Sequence, residues 1–133
     1  METGCSIGTV LVVEDHEDTA CLLRFILERD GYGVTQVRDG LMALKLVETT
    51  PPPDLLLLDI MLPSLTGLEL LRIVRTTPEW QWIPVILLTG DSRTETMTVA
   101  ANLGATEYVK KPFAAERLLQ SIHRFLPRSD SHR

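Results

Sequence analysis

Leu55-Leu56-Leu57-Leu58-Asp59 is a run of four leucines closed by an acid, and it has parallels elsewhere in the chain. Val10-Leu11-Val12-Val13 runs into Glu14-Asp15, and Val85-Ile86-Leu87-Leu88 runs into Thr89. A shorter segment, Tyr108-Val109-Lys110, leads into Lys111-Pro112. Short uninterrupted apolar runs read as strands buried on both faces, as in a parallel sheet covered by helices. In such sheets ligands bind beyond the carboxyl ends of the strands, where the strand order reverses. The pattern therefore predicts that carboxylates, a hydroxyl and an ammonium converge at one sheet edge.

Between these runs the apolar spacing turns helical. Thr19, Leu22, Leu23, Ile26 and Leu27 predict a helix that Gly31 closes. Residues 34–37 read as a strand, and Arg38-Asp39-Gly40 as the turn after it. Leu41, Leu44 and Val47 share a helical face, and Pro51-Pro52-Pro53 ends that helix. Beyond Asp59 the chain passes Pro63 and Gly67 into a helix carrying Leu68, Leu71 and Val74. Pro78 and Pro84 bracket a loop whose Trp80 and Trp82 are expected to pack, since the indole is amphipathic. A Thr-rich helix over 92–103 is stopped by Gly104, and Leu118, Leu119, Ile122 and Phe125 mark a last helix over 113–126. Five βα units in succession predict a right-handed, doubly wound α/β domain over residues 9–126. Residues 1–8 read as an N-terminal extension and 127–133 as a polar tail.

Composition narrows the function classes. A chain of 133 residues suits one domain and can bury roughly two-thirds of its unfolded surface. The net charge of −5 argues against sequence-independent binding to nucleic acid or anionic membranes, which needs a basic face. No apolar stretch approaches the ~20 residues that span a bilayer. Met1-Glu2-Thr3-Gly4-Cys5 lacks the basic start and apolar core of a signal peptide. Cys5 and Cys21 have no CxxC spacing and read as reduced thiols of a cytoplasmic protein.

Glu14, Asp15 and Asp59 would bring three carboxylates to one edge. Two unit charges ~4 Å apart repel by about 4 kcal/mol at an effective dielectric of 20, so the set needs a counter-charge. Mg²⁺ prefers oxygen ligands and is typically held by one or two carboxylates plus a substrate phosphate. A site without His or Cys ligands fits Mg²⁺ or Mn²⁺ better than Zn²⁺; His16 reads as a solvated loop residue. A carboxylate beside such a metal can act as a nucleophile and form an aspartyl phosphate. Phosphoryl transfer needs mainly positioning and stabilisation of the equatorial oxygens. The metal would take one oxygen, the Lys111 ammonium a second, and the Thr89 hydroxyl with backbone N–H groups the third. Gly90 leaves room for a phosphoryl donor to reach Asp59. Glu14 and Asp15 equally suit the positive end of the next helix dipole, and Thr89 a helix cap.

With these residues in place the chain resembles a response-regulator receiver domain of two-component signalling, of the single-domain, chemotaxis-regulator-like kind. The resemblance lies in Glu14-Asp15, Asp59-Ile60-Met61-Leu62-Pro63 with Gly67, Leu87-Leu88-Thr89-Gly90, and the stretch from Gly104 through Tyr108, Lys111 and Pro112 to Phe113. It implies a flavodoxin-like (βα)5 fold with strand order 2-1-3-4-5. It also implies that Asp59 is the phosphoacceptor and that Glu14, Asp15, Asp59 and the backbone carbonyl of Met61 hold Mg²⁺. Thr89 and Lys111 would contact the phosphoryl group, and Tyr108 would be the aromatic switch residue that answers Thr89. The Lys111–Pro112 bond is expected to be cis. The implied donor is a histidine kinase or histidine phosphotransfer protein. The implied output is altered binding of a protein target by the face of 92–103, Tyr108 and 113–126, without direct contact to nucleic acid or membrane. Such a domain is a signalling receiver rather than an enzyme, catalysing only its own phosphorylation and dephosphorylation. Glu14 stands where Asp is commoner in the family, and Met61 is apolar where many members are polar. Other readings are an Mg²⁺-dependent phosphatase with an aspartyl-phosphate intermediate, a flavodoxin-like binding module, and a receiver belonging to a larger regulator or hybrid kinase.

Overall fold

The computed structural model describes residues 8–90 and 93–127. Most of the expected extension, Cys5, Ser92 and nearly all of the expected tail lie outside the described residues. Ten elements alternate along the chain: β1 (Thr9–Val13), α1 (Glu17–Arg29), β2 (Gly33–Val37), α2 (Gly40–Thr49), β3 (Leu55–Asp59), α3 (Gly67–Thr76), β4 (Val85–Thr89), α4 (Thr94–Asn102), β5 (Glu107–Lys110) and α5 (Ala115–Phe125). The strands form one parallel sheet in the order β2-β1-β3-β4-β5, as expected from the sequence.

The period-2 geometry of a strand divides each apolar run between two faces. Leu11, Val13, Leu56, Leu58 and Leu87 pack with Ala43, Leu70, Leu71 and Val74 on the side of α2, α3 and α4. Val10, Val12, Leu55, Leu57, Ile86, Leu88 and Val109 pack with Leu23, Leu27, Leu118 and Ile122 on the side of α1 and α5. This is why four leucines in a row are tolerated in β3: alternate side chains feed separate cores, and each fully buried leucine contributes about 1.5–3 kcal/mol.

Helix boundaries follow local chemistry. Asp39 caps α2 by accepting from the Met42 N–H. Thr66 and Glu69 form a reciprocal capping box at α3. Gly31 and Gly104 take positive φ just beyond α1 and α4, in the position that spares a Cβ clash.

Several sequence expectations shift. Leu22 and Leu41 are exposed, and Ala43 is the small residue that seats α2 on the sheet. The start of α2 has no room for a larger residue at Gly40, where a Cβ would lie 2.2 Å from the carbonyl oxygen of Leu65 in the segment between β3 and α3. The last helix begins at Ala115 rather than at 113, because Ala114 is still extended, with φ −90° and ψ 145°. The Thr-rich helix starts at Thr94 and ends at Asn102, one residue short of the expected 103. Trp80 is buried and donates its indole N–H to the Thr50 carbonyl, whereas Trp82 is 85% exposed and does not pack as expected. Among the described residues no helix is long and apolar enough to cross a membrane.

The close approach at Gly67 is a sharp test of this packing. A Cβ there would lie 2.2 Å from the Asp59 carbonyl oxygen, while one at Gly90 would meet nothing within 4 Å. Gly67→Ala should cost about 2 kcal/mol or more through overpacking, and Gly90→Ala should stay within about 0.5 kcal/mol of the parent, as an open surface site. Urea midpoints at constant m-value measure both; equal midpoints would contradict the geometry.

Candidate functional site

The chain runs from β1 to β2 on one side and returns to β3 on the other, so the strand order reverses between β1 and β3. Glu14 and Asp15 follow β1 at this crevice, and Asp59 is the last residue of β3. One carboxylate oxygen from each of the three lies within 4.8 Å of the others. Thr89 closes β4, and Lys111 follows β5 with its N–H on the Thr89 carbonyl at 2.8 Å. The five residues read from the strand ends are thus brought to one edge.

Asp59 is only 4% exposed. Its Oδ1 accepts the Met61 N–H at 3.0 Å, and its Oδ2 lies 3.3 Å from the Lys111 Nζ. Burial pushes its carboxyl from 3.8 up to about 6; the negative charge of Glu14 adds to the rise, and Lys111 and the Met61 N–H oppose it. Burial pulls the Lys111 ammonium down, but the hydrogen bond to Glu14 and the charges of Asp59 and Glu14 outweigh this and lift it above 10.5. Glu14 is buried, with Oε1 2.9 Å from the Lys111 Nζ and Oε2 accepting the His16 N–H at 3.1 Å. Asp15 is exposed at the mouth.

The remaining expectations resolve individually. Lys110 is exposed, while Lys111 turns inward to Glu14 and Asp59. The Lys111–Pro112 bond is cis. Thr89 is buried at the strand end and does not cap α4, whose N-cap is Arg93. His16 is an exposed loop residue at the N-cap of α1, its Nδ1 3.4 Å from the Thr19 hydroxyl. The Met61 side chain is 72% exposed, so the residue touches Asp59 through its backbone. Tyr108 is 38% exposed and borders a small cavity whose other walls include Leu87, Thr89, Met97 and Ala100. Sequence reasoning missed the Glu14–Lys111 pair; the one hint was a residue a methylene longer than aspartate beside a distant lysine.

Three carboxylates face a single ammonium here, which leaves an excess of negative charge among oxygen donors. That donor set fits a hard divalent cation and offers no nitrogen or sulfur ligand.

The raised Asp59 pKa also has a sign. A carboxyl whose folded value lies above its unfolded one favours folding at low pH, and that contribution is lost as pH rises from about 3.8 through about 6. In metal-free buffer Asp59→Asn should therefore stabilise the fold by on the order of 2 kcal/mol above pH 7, with the gain fading toward pH 4. Thermal melts of both proteins across that range check it, and a variant less stable than the parent at pH 7.5 would contradict the electrostatic account.

The comparisons with known proteins agree with this geometry. The family model of the response regulator receiver domain matches residues 10–123. The chain is 37% identical over 121 residues to the alkaline phosphatase synthesis transcriptional regulatory protein PhoP of Bacillus subtilis, covering 91% of this chain and 49% of that protein. The chain thus spans about half the length of this curated relative. Among solved structures, the receiver domain of sensor histidine kinase PA1611 of Pseudomonas aeruginosa matches with a TM-score of 0.82 at 28% identity, over 90% of this chain and 97% of that one. The chemotaxis response regulator CheY4 of Vibrio cholerae matches with a TM-score of 0.83 at 30% identity, over 89% and 98%. Fold, edge chemistry and family match coincide, and the chain belongs to the response regulator receiver domain family of two-component signalling.

Proposed function

We propose that this domain accepts a phosphoryl group on Asp59 from a histidine kinase or phosphotransfer protein and thereby changes its partner-binding face. The observation that carries the reading is the Asp59 carboxylate itself, buried at the switch point between Lys111 and the acidic pair. An Asp59 oxygen would attack the phosphorus of a phosphohistidine; the P–O bond forms as the P–N bond breaks and the electron pair leaves with the imidazole. Lys111 would follow the incoming equatorial oxygen, and the Thr89 hydroxyl would meet another. Mg²⁺, with Mn²⁺ as an alternative, would be held by Glu14, Asp15, Asp59 and the Met61 carbonyl and would neutralise charge on the phosphoryl oxygens. The solved PA1611 receiver supports this, since it has a magnesium ion coordinated in its active site cleft. Open space at Gly90 would admit the donor.

A phosphatase with an aspartyl-phosphate intermediate would place an acid two residues after the nucleophile, where this chain has the apolar Met61. A flavodoxin-like binder would place Ser, Thr and Gly after β1, where this chain has Glu14-Asp15-His16-Glu17. Turnover confined to the domain's own aspartyl phosphate follows.

The output would run through Thr89 and Tyr108 to α4. Movement of Thr89 toward the phosphoryl group would open the cavity the two residues share, and Tyr108 would turn inward. Among the described side chains of α4, Ala100 is the one that is buried, so the helix holds the sheet by little area. Loosely held elements are those that switches recruit, and a differential stability of a few kcal/mol suffices to move them.

Two measurements test the proposal. Acetyl phosphate with Mg²⁺ should add one phosphoryl group per chain by intact mass, and Asp59→Asn should abolish it; undiminished labelling of the variant would sink the assignment. Beryllofluoride should alter amide hydrogen exchange mainly within residues 89–111, whereas changes centred on 19–29 would move the output face elsewhere.

A further inference from the structure

We infer that the outer edge of β2 is a self-association surface, on which β2 of a second copy of this chain pairs antiparallel about a two-fold axis at Thr35. The surface lies at the opposite end of the sheet from β5 and does not depend on the phosphoacceptor reading.

Among the described residues β2 has one neighbouring strand, β1. In a parallel pair both backbone groups of a residue turn to the same side, and the side alternates along the strand. Gly33 donates its N–H to the Gly8 carbonyl, and the Val37 carbonyl accepts the Glu14 N–H, so the odd-numbered residues face β1. The N–H and C=O groups of Val34 and Gln36 therefore face outward. Natural sheets guard such edges with charge, proline or a bulge. The opposite edge, β5, carries Glu107 and Lys110. Gly33-Val34-Thr35-Gln36-Val37 has no charge and no proline, and its register with β1 runs without a bulge.

The outward groups select the register. A second β2 matches them when Val34 lies opposite Gln36 of the second copy, and the two-fold axis repeats the match. Residues so placed exchange both of their N–H···O bonds. Thr35 is exposed and then lies opposite Thr35 of the second copy, as a closely spaced pair outside the hydrogen bonds. Cross-strand threonine pairs of this kind are favourable.

The helix beside the edge says why the occupant is a second copy. Arg24 of α1 reaches β2 through its Nε, which donates to the Gln36 Oε1 at 3.1 Å. Glu28 follows one turn later, 3.3 Å from the Arg24 Nη1, and both side chains are about half exposed. α1 runs back down the sheet before β2 runs up it, so Arg24 stands level with Gln36 and Glu28 level with Val34. An axis that sets Val34 against Gln36 thus sets Glu28 against Arg24 of the second copy, and the reverse. The edge is complementary in charge to its own rotated image. Farther along, Arg38 and Glu17 pair with each other at 3.3 Å and add no net charge to the contact.

An isologous contact of this type consumes both edges and closes at the dimer. The two five-stranded sheets join into one, with β5 of each copy at an outer end.

Sedimentation of the full chain should show a mass rising from 14.9 kDa at about 10 µM toward twice that value by about 500 µM. Thr35→Lys sets like charges face to face and should weaken association about tenfold or more, with a melting midpoint close to the parent's. Glu28→Arg alone and Arg24→Glu alone should each weaken self-association about fivefold, since each brings like charges together across the axis. Mixing these two variants makes every cross-axis pair opposite in sign and should restore association to near the parent's; damage to either fold would not be repaired by mixing. Concentration-dependent amide shifts in the parent should centre on residues 24–36. A parent still at monomer mass at about 500 µM would leave the edge to some other extended chain and overturn the assignment. Thr35→Lys associating as tightly as the parent, no gain on mixing, or shifts centred on 94–125 would each overturn it as well.

Discussion

Asp59 ends β3 with its carboxylate almost out of water, and the rest of the edge is arranged around the cost of that charge. Burial alone favours the protonated acid, and the neighbouring Glu14 adds to the pressure. The Lys111 ammonium and the Met61 N–H offset part of it without restoring the ordinary acidity. One lysine shared between two buried acids cannot neutralise both, so the folded domain carries an electrostatic deficit at this point. A divalent cation would meet that deficit, as would the phosphoryl group proposed to arrive with it.

The scaffold tolerates the deficit because the sheet beneath is rigid on both faces. Leu57 and Leu58 precede Asp59 and enter opposite cores, so the acid cannot retreat toward solvent without uncoupling β3 from both. The looser part of the molecule lies beside it. α4 is fastened at its C-terminal end, where the Arg75 guanidinium bonds the Gly104 carbonyl at 2.8 Å and the Ile83 carbonyl at 2.7 Å. Its N-terminal end follows Arg93 without a side-chain cap and lies toward Thr89. Among its described side chains Ala100 is the one that is buried, so α4 covers little area where it lies beside the acidic edge.

Much of this was legible in the sequence because both signals involved are local. Apolar runs that end on oxygen-bearing residues locate strands and their reactive edge together, and the register of Asp59 with Leu88 and of Thr89 with Lys110 follows once the strands are parallel. What escaped depends on contacts between distant segments. Leu22 and Leu41 have the right helical spacing yet are exposed, because tertiary contacts set which face turns inward: α1 buries Leu23, Ile26 and Leu27, and α2 buries Ala43 and Val47. Trp80 and Trp82 have equal hydrophobicity and differ only in which side of a short turn they occupy. The Glu14–Lys111 pair joins residues 97 positions apart across two intervening strands, and no periodicity encodes it.

The edge strand β5 carries this asymmetry to the surface. Alternate residues of a strand face opposite sides, so Glu107 and Val109 look toward α5 while Tyr108 looks toward α4. Glu107 is bound on its side by Ser121 at 2.6 Å and by Arg124 at 2.6 Å, with Arg117 closing the cluster. Its carboxylate is mostly buried, which makes these contacts stronger than exposed pairs would be. β5 is therefore clamped to α5 and free to rearrange only on the Tyr108 side. A change proposed to arrive from Thr89 would meet the α5 clamp in one direction and α4, with Ala100 as its one buried described side chain, in the other. On the proposed reading, a small displacement at the acidic edge would therefore be taken up by α4 rather than by α5.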